Sequence, residues 1–274
     1  MYSINLADGI ESWVTSIDSG KSYSWGADID DEYLYFGTSG HHDKRYIWKA
    51  NKSTGVLTDS VFSEYMPRAL VIHNSHLYCT FGWSSTGNSN SVGRIICFDS
   101  MNLDTLWIHD EAGGSLSMCT PIIEEDIMYM GTIWGADNKI LALNAQTGGV
   151  IWENSSDNIS AIKVLLVGEL LYVETGASVR ALNKLTGSQI WRSNFANPDE
   201  SPNLSYWNGY IYIENYGTLF VLDATTGERV YSMHGPDNAS VEQVSTGAGK
   251  IFVQSTQHLY AFTPYDPEKD SSEE

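Results

Sequence analysis

The chain has 274 residues, of which 34 are acidic and 15 basic, and its formal net charge at pH 7 is −19. This charge repels phosphate groups, so it disfavours nucleic acids and anionic membranes as partners. It would attract a basic protein and accelerate its association; the alternative is that the charge only confers solubility. No apolar run approaches the ~18–20 residues that a membrane-spanning helix needs.

The first predicted element is a strand within residues 9–17 (GIESWVTSI), which leaves no room for a secretory leader if Met1 is the natural first residue. If Met1 is the natural first residue, we expect a cytoplasmic protein; if a leader has been removed, we expect a secreted or periplasmic one. The three cysteines, Cys79, Cys97 and Cys119, are well separated, which suits a reducing compartment better than a disulfide framework.

Short aromatic strands recur after this segment at intervals of roughly forty residues. Their marker aromatics are Tyr35, Tyr78, Tyr129, Tyr172, Tyr212 and Phe252. Apolar and β-branched runs between turns rich in Gly, Asn, Asp and Ser indicate strands, and no helical apolar stripe exceeds about two turns. Such a repeat indicates a stacked or radial array.

A Thr-Gly turn followed by tryptophan is the second repeated marker. Asn-x-x-Thr-Gly-x-x-x-Trp occurs at residues 144–152 and 183–191, and a variant ending in Tyr231 begins at Asp223. Glycine permits the positive φ that such a hairpin turn requires. Degenerate copies bring the number of units to six, but Asp59 replaces the tryptophan of the first unit and Leu103 replaces the glycine of the second.

Both markers predict an all-β fold, a single six-bladed β-propeller formed by residues 1–264. Each blade is predicted to contain four antiparallel strands, and radial repetition leaves few sheet edges exposed. The last unit supplies only three strands before Pro264, so residues 1–18 are predicted to complete the last blade and close the ring. Residues 265–274 are predicted to form a flexible acidic tail.

The pattern Ala-x-[Asp/Asn]-x-x-Thr-Gly-x-x-x-Trp, complete at residues 142–152 and 181–191, resembles the repeat of the PQQ-type (quinoprotein-like and BamB-like) β-propellers. In that family the tryptophans and glycines of the repeat dock neighbouring blades. The resemblance therefore implies a structural docking role for seven residues here: Trp13, Trp107, Trp152, Trp191, Gly148, Gly187 and Gly227.

The same resemblance implies a comparison with quinoprotein dehydrogenases, which close more blades over a longer chain and carry an adjacent cysteine pair and calcium-binding carboxylates. The separated cysteines here depart from that pattern, and no GxSxG, HExxH or P-loop motif occurs. We therefore expect no enzymatic activity, cofactor or metal. A PQQ-dependent dehydrogenase-like enzyme is the least favoured alternative.

Two acidic segments and a histidine pair are the candidate metal sites in the sequence. The segment 28–32 (DIDDE) lacks the glycine and distal glutamate of a calcium loop, and it and 124–126 (EED) are interpreted as solvated turns between strands. Adjacent histidines in an extended segment point to opposite faces, so His41 and His42 are assigned to a surface loop.

Loops between the second and third strands are long in the first three units and short in the last three. The long ones are predicted at residues 39–44, 83–93 and 133–138. Because binding residues concentrate on loops held by a rigid scaffold, this end of the sheets is the candidate binding face. Its candidate residues are His41, His42, Trp83, Trp134, Asp110 and Glu111.

Two functions fit this face. In the first, Trp83 and Trp134 form an aromatic platform, flanked by Asp110 and Glu111 from the link between blades, that binds a basic protein such as a toxin or an assembly factor. In the second, the tryptophans stack on a carbohydrate or small ligand, and the central channel serves as a pocket. The structural alternative is that each tryptophan folds over its own blade.

Overall fold

A computed structural model describes residues 1–5, 7–17, 23–39, 45–84, 93–111, 120–132, 138–155, 163–175, 177–195, 203–215, 217–234 and 241–266. The regular elements of these residues are β-strands, 25 in number. They fall into two compact units, residues 1–151 and 152–274.

The first unit begins with a two-stranded sheet, β1-β2, and continues with sheets that run in chain order, β3-β4-β5-β6, β7-β8-β9-β10 and β11-β12-β13-β14. The chain passes into the second unit within β14. The strands are β1 (Tyr2–Ile4), β2 (Glu11–Val14), β3 (Tyr23–Ile29), β4 (Tyr33–Ser39), β5 (Tyr46–Asn51), β6 (Leu57–Phe62), β7 (Tyr65–His73), β8 (His76–Ser84), β9 (Gly93–Asp99), β10 (Thr105–Glu111), β11 (Ile122–Glu124), β12 (Ile127–Gly131), β13 (Lys139–Asn144) and β14 (Val150–Ser155).

The second unit contains two four-stranded sheets, β15-β16-β17-β18 and β19-β20-β21-β22, and the three-stranded sheet β23-β24-β25. Its strands are β15 (Lys163–Val167), β16 (Leu170–Glu174), β17 (Ser178–Asn183), β18 (Gln189–Asn194), β19 (Asn203–Trp207), β20 (Tyr210–Asn215), β21 (Thr218–Asp223), β22 (Arg229–His234), β23 (Val241–Gly247), β24 (Lys250–Ser255) and β25 (Leu259–Phe262).

Burial along the strands shows how the sheets stack. The inner strands β16 and β20 have unbroken runs of buried residues, because neighbouring elements cover both of their faces. The outer strand β6 instead alternates between half-buried and exposed residues, as expected for a strand with one covered face. The five marker tyrosines are at most 2% exposed and belong to the core, whereas the sixth marker, Phe252, is half-buried.

First strands of neighbouring sheets contact each other between the first and second sheets and throughout the second unit. In the first unit β3 contacts β7; in the second, β15 contacts β19 and β19 contacts β23. The short turns between first and second strands therefore gather at one end of each unit. The loops between second and third strands gather at the other end.

The N-terminal strand β2 pairs with β1, with Trp13 opposite Ser3, and the last sheet has three strands in the part of the chain that the structure describes. The addition of residues 1–18 to the last sheet stays a prediction. The predicted acidic tail lies outside the described residues from 267 onward. Its first residue, Tyr265, is held in place, because its N–H donates to the Tyr212 hydroxyl at 3.0 Å and its ring packs on Tyr210.

Candidate interaction surfaces

The Thr-Gly turns form close contacts with tryptophan rings. The Trp152 ring lies against Gly187, whose φ of +69° is in the left-handed region, and a Cβ built on this glycine would lie 2.5 Å from Cε3 of Trp152. The indole Nε1 donates to the Lys184 carbonyl at 2.9 Å. The same pairing recurs for Trp13 on Gly55, Trp107 on Gly148 and Trp191 on Gly227.

In most of these contacts a second hydrogen bond joins the tryptophan's strand to the turn. The residue two positions after the tryptophan donates to the carbonyl of the glycine: Asn154 Nδ2 to Gly187 at 2.7 Å, and His109 Nδ1 to Gly148 at 3.0 Å. Thr15 Oγ1 does the same to Gly55. Each such contact therefore combines ring packing with two hydrogen bonds to turn carbonyls.

The contact between the first and second sheets departs from this arrangement. Asp59 lies opposite Lys49 in the β5–β6 register, as Trp191 lies opposite Ala181 in β17–β18. Lys49 Nζ donates to the carbonyls of Ser100 and Met101 at 2.7 and 2.8 Å, so an ammonium group replaces the indole N–H.

The candidate binding face is only partly described. His41, His42 and Trp134 lie outside the described residues, and of Trp83 the structure describes the backbone, near the end of β8. The strand bounds confirm the predicted asymmetry of the loops. Residues 40–45, 85–92 and 132–138 separate the second and third strands in the first three sheets, against 175–177, 216–217 and 256–258 in the last three.

Asp110 was expected in a link between blades, but the structure places it near the end of β10. It accepts hydrogen bonds from Arg94 Nε and a terminal Arg94 nitrogen at 2.6 and 2.7 Å. The Arg94 guanidinium also lies 4.6 Å above the Tyr65 ring. These hydrogen bonds hold the pKa of Asp110 below its ordinary value.

Glu111, the last residue of β10, is 7% exposed. Its Oε1 lies 3.1 Å from Lys139 Nζ, and its Oε2 lies 3.5 Å from His109 Nε2. This carboxylate therefore joins the second sheet to the third. The sequence did not predict the cations that pair with these two acids, Arg94 and Lys139. Their pairing becomes evident only when the strand register and the neighbouring sheet are known.

The described residues contain no group of three or more His, Cys, Asp and Glu side chains that could hold a metal ion. Burial raises the pKa of the Cys97 thiol to about 12 and that of Cys79 well above its ordinary value, so both are protonated packing residues. Within the same residues no helix is long and apolar enough to cross a membrane.

The family described as outer membrane protein assembly factor BamB matches residues 1–163 and 175–269. The chain belongs to this family. BamB of Kangiella koreensis is 22% identical over 222 residues, which cover 78% of this chain and 56% of the relative. Polyvinylalcohol dehydrogenase of Sphingopyxis sp. is 21% identical over 281 residues, which cover 82% of this chain and 41% of that enzyme.

The serine/threonine-protein kinase AfsK of Streptomyces griseus is 25% identical over 181 residues, 61% of this chain and 22% of the kinase. The chain thus spans between about a fifth and three fifths of the length of these curated relatives. They include an assembly factor, a dehydrogenase and a kinase.

Solved structures show the fold. BamB from Moraxella catarrhalis has a TM-score of 0.56 at 16% identity, covering 92% of this chain and 85% of that one. Quinohemoprotein alcohol dehydrogenase from Comamonas testosteroni has a TM-score of 0.72 at 11% identity, covering 92% and 60%. The predicted all-β propeller fold is confirmed. Among the described residues six sheets have three or four strands, which agrees with the predicted count of six blades, and a seventh sheet, β1-β2, has two strands.

Proposed function

We propose that the chain is a non-catalytic protein-interaction module whose partner binds the loops between the second and third strands of the first three sheets. The observation that carries this proposal is the asymmetry of these loops, which separate the second and third strands by more residues in each of the first three sheets than in any of the last three. Membership of a family described as an assembly factor supports a protein partner.

The partner is proposed to be basic, because the chain carries a net charge of −19. Asp110 and Glu111 contribute less than their charges suggest, since each lies beside a cation. We therefore assign the contact energy of this face to Trp83 and Trp134, because large aromatic side chains dominate binding at interface centres.

The test is a Trp83→Ala/Trp134→Ala double variant, used as bait against extracts of the native host and then against the captured protein in purified form. Binding is expected to weaken by more than about tenfold, with the melting temperature nearly unchanged. The matched control is Leu185→Ala/Ile190→Ala, which truncates two exposed apolar residues of the second unit, 56% and 52% exposed.

Equal binding by the double variant and the wild type would contradict the proposed site. A hit on a glycan array that depends on both tryptophans, without a stoichiometric protein partner, would favour the carbohydrate-binding alternative. Turnover of an alcohol in the presence of added quinone would contradict the non-catalytic assignment.

A further inference from the structure

The opposite end of the first unit carries a concentration of acidic side chains. The turn between β3 and β4 contains Asp31 and Glu32. The turn between β11 and β12 consists of Glu125 and Asp126 and follows Glu124, the last residue of β11; all five residues are exposed. We call this set the acidic turn surface. In the second unit the corresponding turns are 168–169, 208–209 and 248–249, which contain one acid, Glu169.

A cleft of about 720 Å³ opens beside this surface, between the first and second sheets. Its lining includes Asp31, Glu32, Tyr33, Lys49 and His73. It lies where the repeat departs from the indole–glycine contact, since Lys49 takes the place of the indole as donor. The His73 ring connects the cleft to the third sheet, because its Nε2 lies 3.0 Å from the Glu125 carbonyl.

The charged groups on the floor of the cleft are engaged internally. Lys49 Nζ donates to two carbonyls and lies 4.0 Å from the centre of the Tyr33 ring, and Lys52 Nζ donates to the Asp30 carbonyl at 2.6 Å. The Asp30 carboxylate accepts from the N–H groups of Glu32 and Tyr33 and from the Tyr35 hydroxyl. These hydrogen bonds hold the charged side chains at the floor of the cleft in place.

The rim combines carboxylates with apolar side chains. Met101 is 80% exposed and Ile29 is 57% exposed, and both line the cleft beside Asp31 and Glu32. Exposed apolar side chains next to carboxylates suit a partner that carries an apolar side chain and positive charge. The apolar contact would supply binding energy, and the carboxylates would select a basic partner.

We propose that the cleft and the acidic turn surface bind a basic segment of a partner protein. Its lysine or arginine side chains would contact Asp31, Glu32 and Glu125, and one apolar side chain would pack between Ile29 and Met101. The proposal rests on the proposed function in that it assumes a protein partner. It adds a second contact, at the end of the sheets away from Trp83.

The test uses the full chain and a fluorescein-labelled nonapeptide that alternates lysine and leucine, with a glutamate-leucine peptide as the negative control. The Asp31→Lys/Glu32→Lys variant is expected to bind the lysine-leucine peptide at least about tenfold more weakly than wild type. The matched control, Glu169→Lys/Glu228→Lys, makes the same change in net charge on turns of the second unit. It is expected to weaken binding less than about twofold.

Met101→Ser, which removes apolar contact without changing charge, should weaken binding by about three- to tenfold. If both charge-reversal variants lose affinity equally, only net charge attracts the peptide and the proposal is wrong. The Trp83→Ala/Trp134→Ala variant separates the two proposals. If this variant still binds the peptide, the peptide site lies away from the loops, whether or not the variant binds the native partner. If the variant no longer binds the peptide, the proposed second contact is wrong.

Discussion

Trp152 and Gly187 approach so closely that a methyl group on the glycine would lie 2.5 Å from the indole ring. The indole ring packs directly on the backbone, so position 187 has no space for a side chain. The turn also requires a residue that tolerates a φ of +69°, which glycine does. Because this contact recurs along the repeat, it is the place where stability is best tested.

Replacing Gly187 with alanine should destabilise the fold by at least about 2–3 kcal/mol, because it adds a steric clash to the cost of a positive φ. Gly168→Ala is the matched control. Gly168 has a φ of +57° but nothing within 4 Å of a built Cβ, so its variant measures the backbone cost alone, about 1 kcal/mol. Urea unfolding midpoints would compare them, and equal losses would contradict the packing role of Gly187.

Truncating Trp191 should separate ring packing from hydrogen bonding. Trp191 is 8% exposed, so Trp191→Ala should cost about 3–5 kcal/mol. In Trp191→Phe most of the ring surface remains, and the Ala224 carbonyl keeps its hydrogen bond from the Tyr172 hydroxyl at 3.0 Å. Apart from the effect of the smaller ring, loss of the indole N–H hydrogen bond should therefore lower the free energy of unfolding by only about 1 kcal/mol. Unchanged stability in the alanine variant, combined with lost partner binding, would instead make Trp191 a binding residue.

Between the first and second sheets Lys49 replaces the tryptophan of the other repeats, so substitutions that restore the tryptophan contact should compensate for the loss of Lys49. Lys49→Ala should cost about 1–3 kcal/mol, because it removes the donor that serves the carbonyls of Ser100 and Met101. Adding Asp59→Trp and Leu103→Gly to Lys49→Ala restores the residues of the other repeats and should recover part of that loss. Denaturant melts of the single and triple variants give the comparison, and a triple variant less stable than the single one would rule out this equivalence.

The Arg94–Asp110 pair predicts a dependence of stability on pH. The pKa of Asp110 is lowered in the folded protein, so its contribution is fully present above the unfolded value of about 3.9 and is lost as pH falls through the folded pKa. Asp110→Asn should therefore lower the urea midpoint slightly at pH 7. The gap from wild type should close in acid, and a gap of the same size at pH 3 would exclude the ion pair as its cause.

Much of the fold is encoded locally, as the residues around Trp152 and Gly187 illustrate. A turn that needs glycine, a tryptophan four residues later and a buried tyrosine every forty or so residues all appear in the chain order, because hairpin geometry and strand alternation act over short distances. The loop asymmetry follows from the same spacing. These patterns suffice for the propeller fold and for the end of the sheets where loops are long.

The partners of individual charges were decided by tertiary structure. Asp110 and Glu111 read as free carboxylates in the sequence, yet Arg94 faces one across β9–β10 and Lys139 reaches the other from the next sheet. Lys49 likewise takes over the role of a missing tryptophan through carbonyls 51 and 52 residues away. Such pairings depend on cross-strand register and on which sheets are neighbours, and no local pattern carries that information, because side chains distant in the chain meet only after the sheets have stacked.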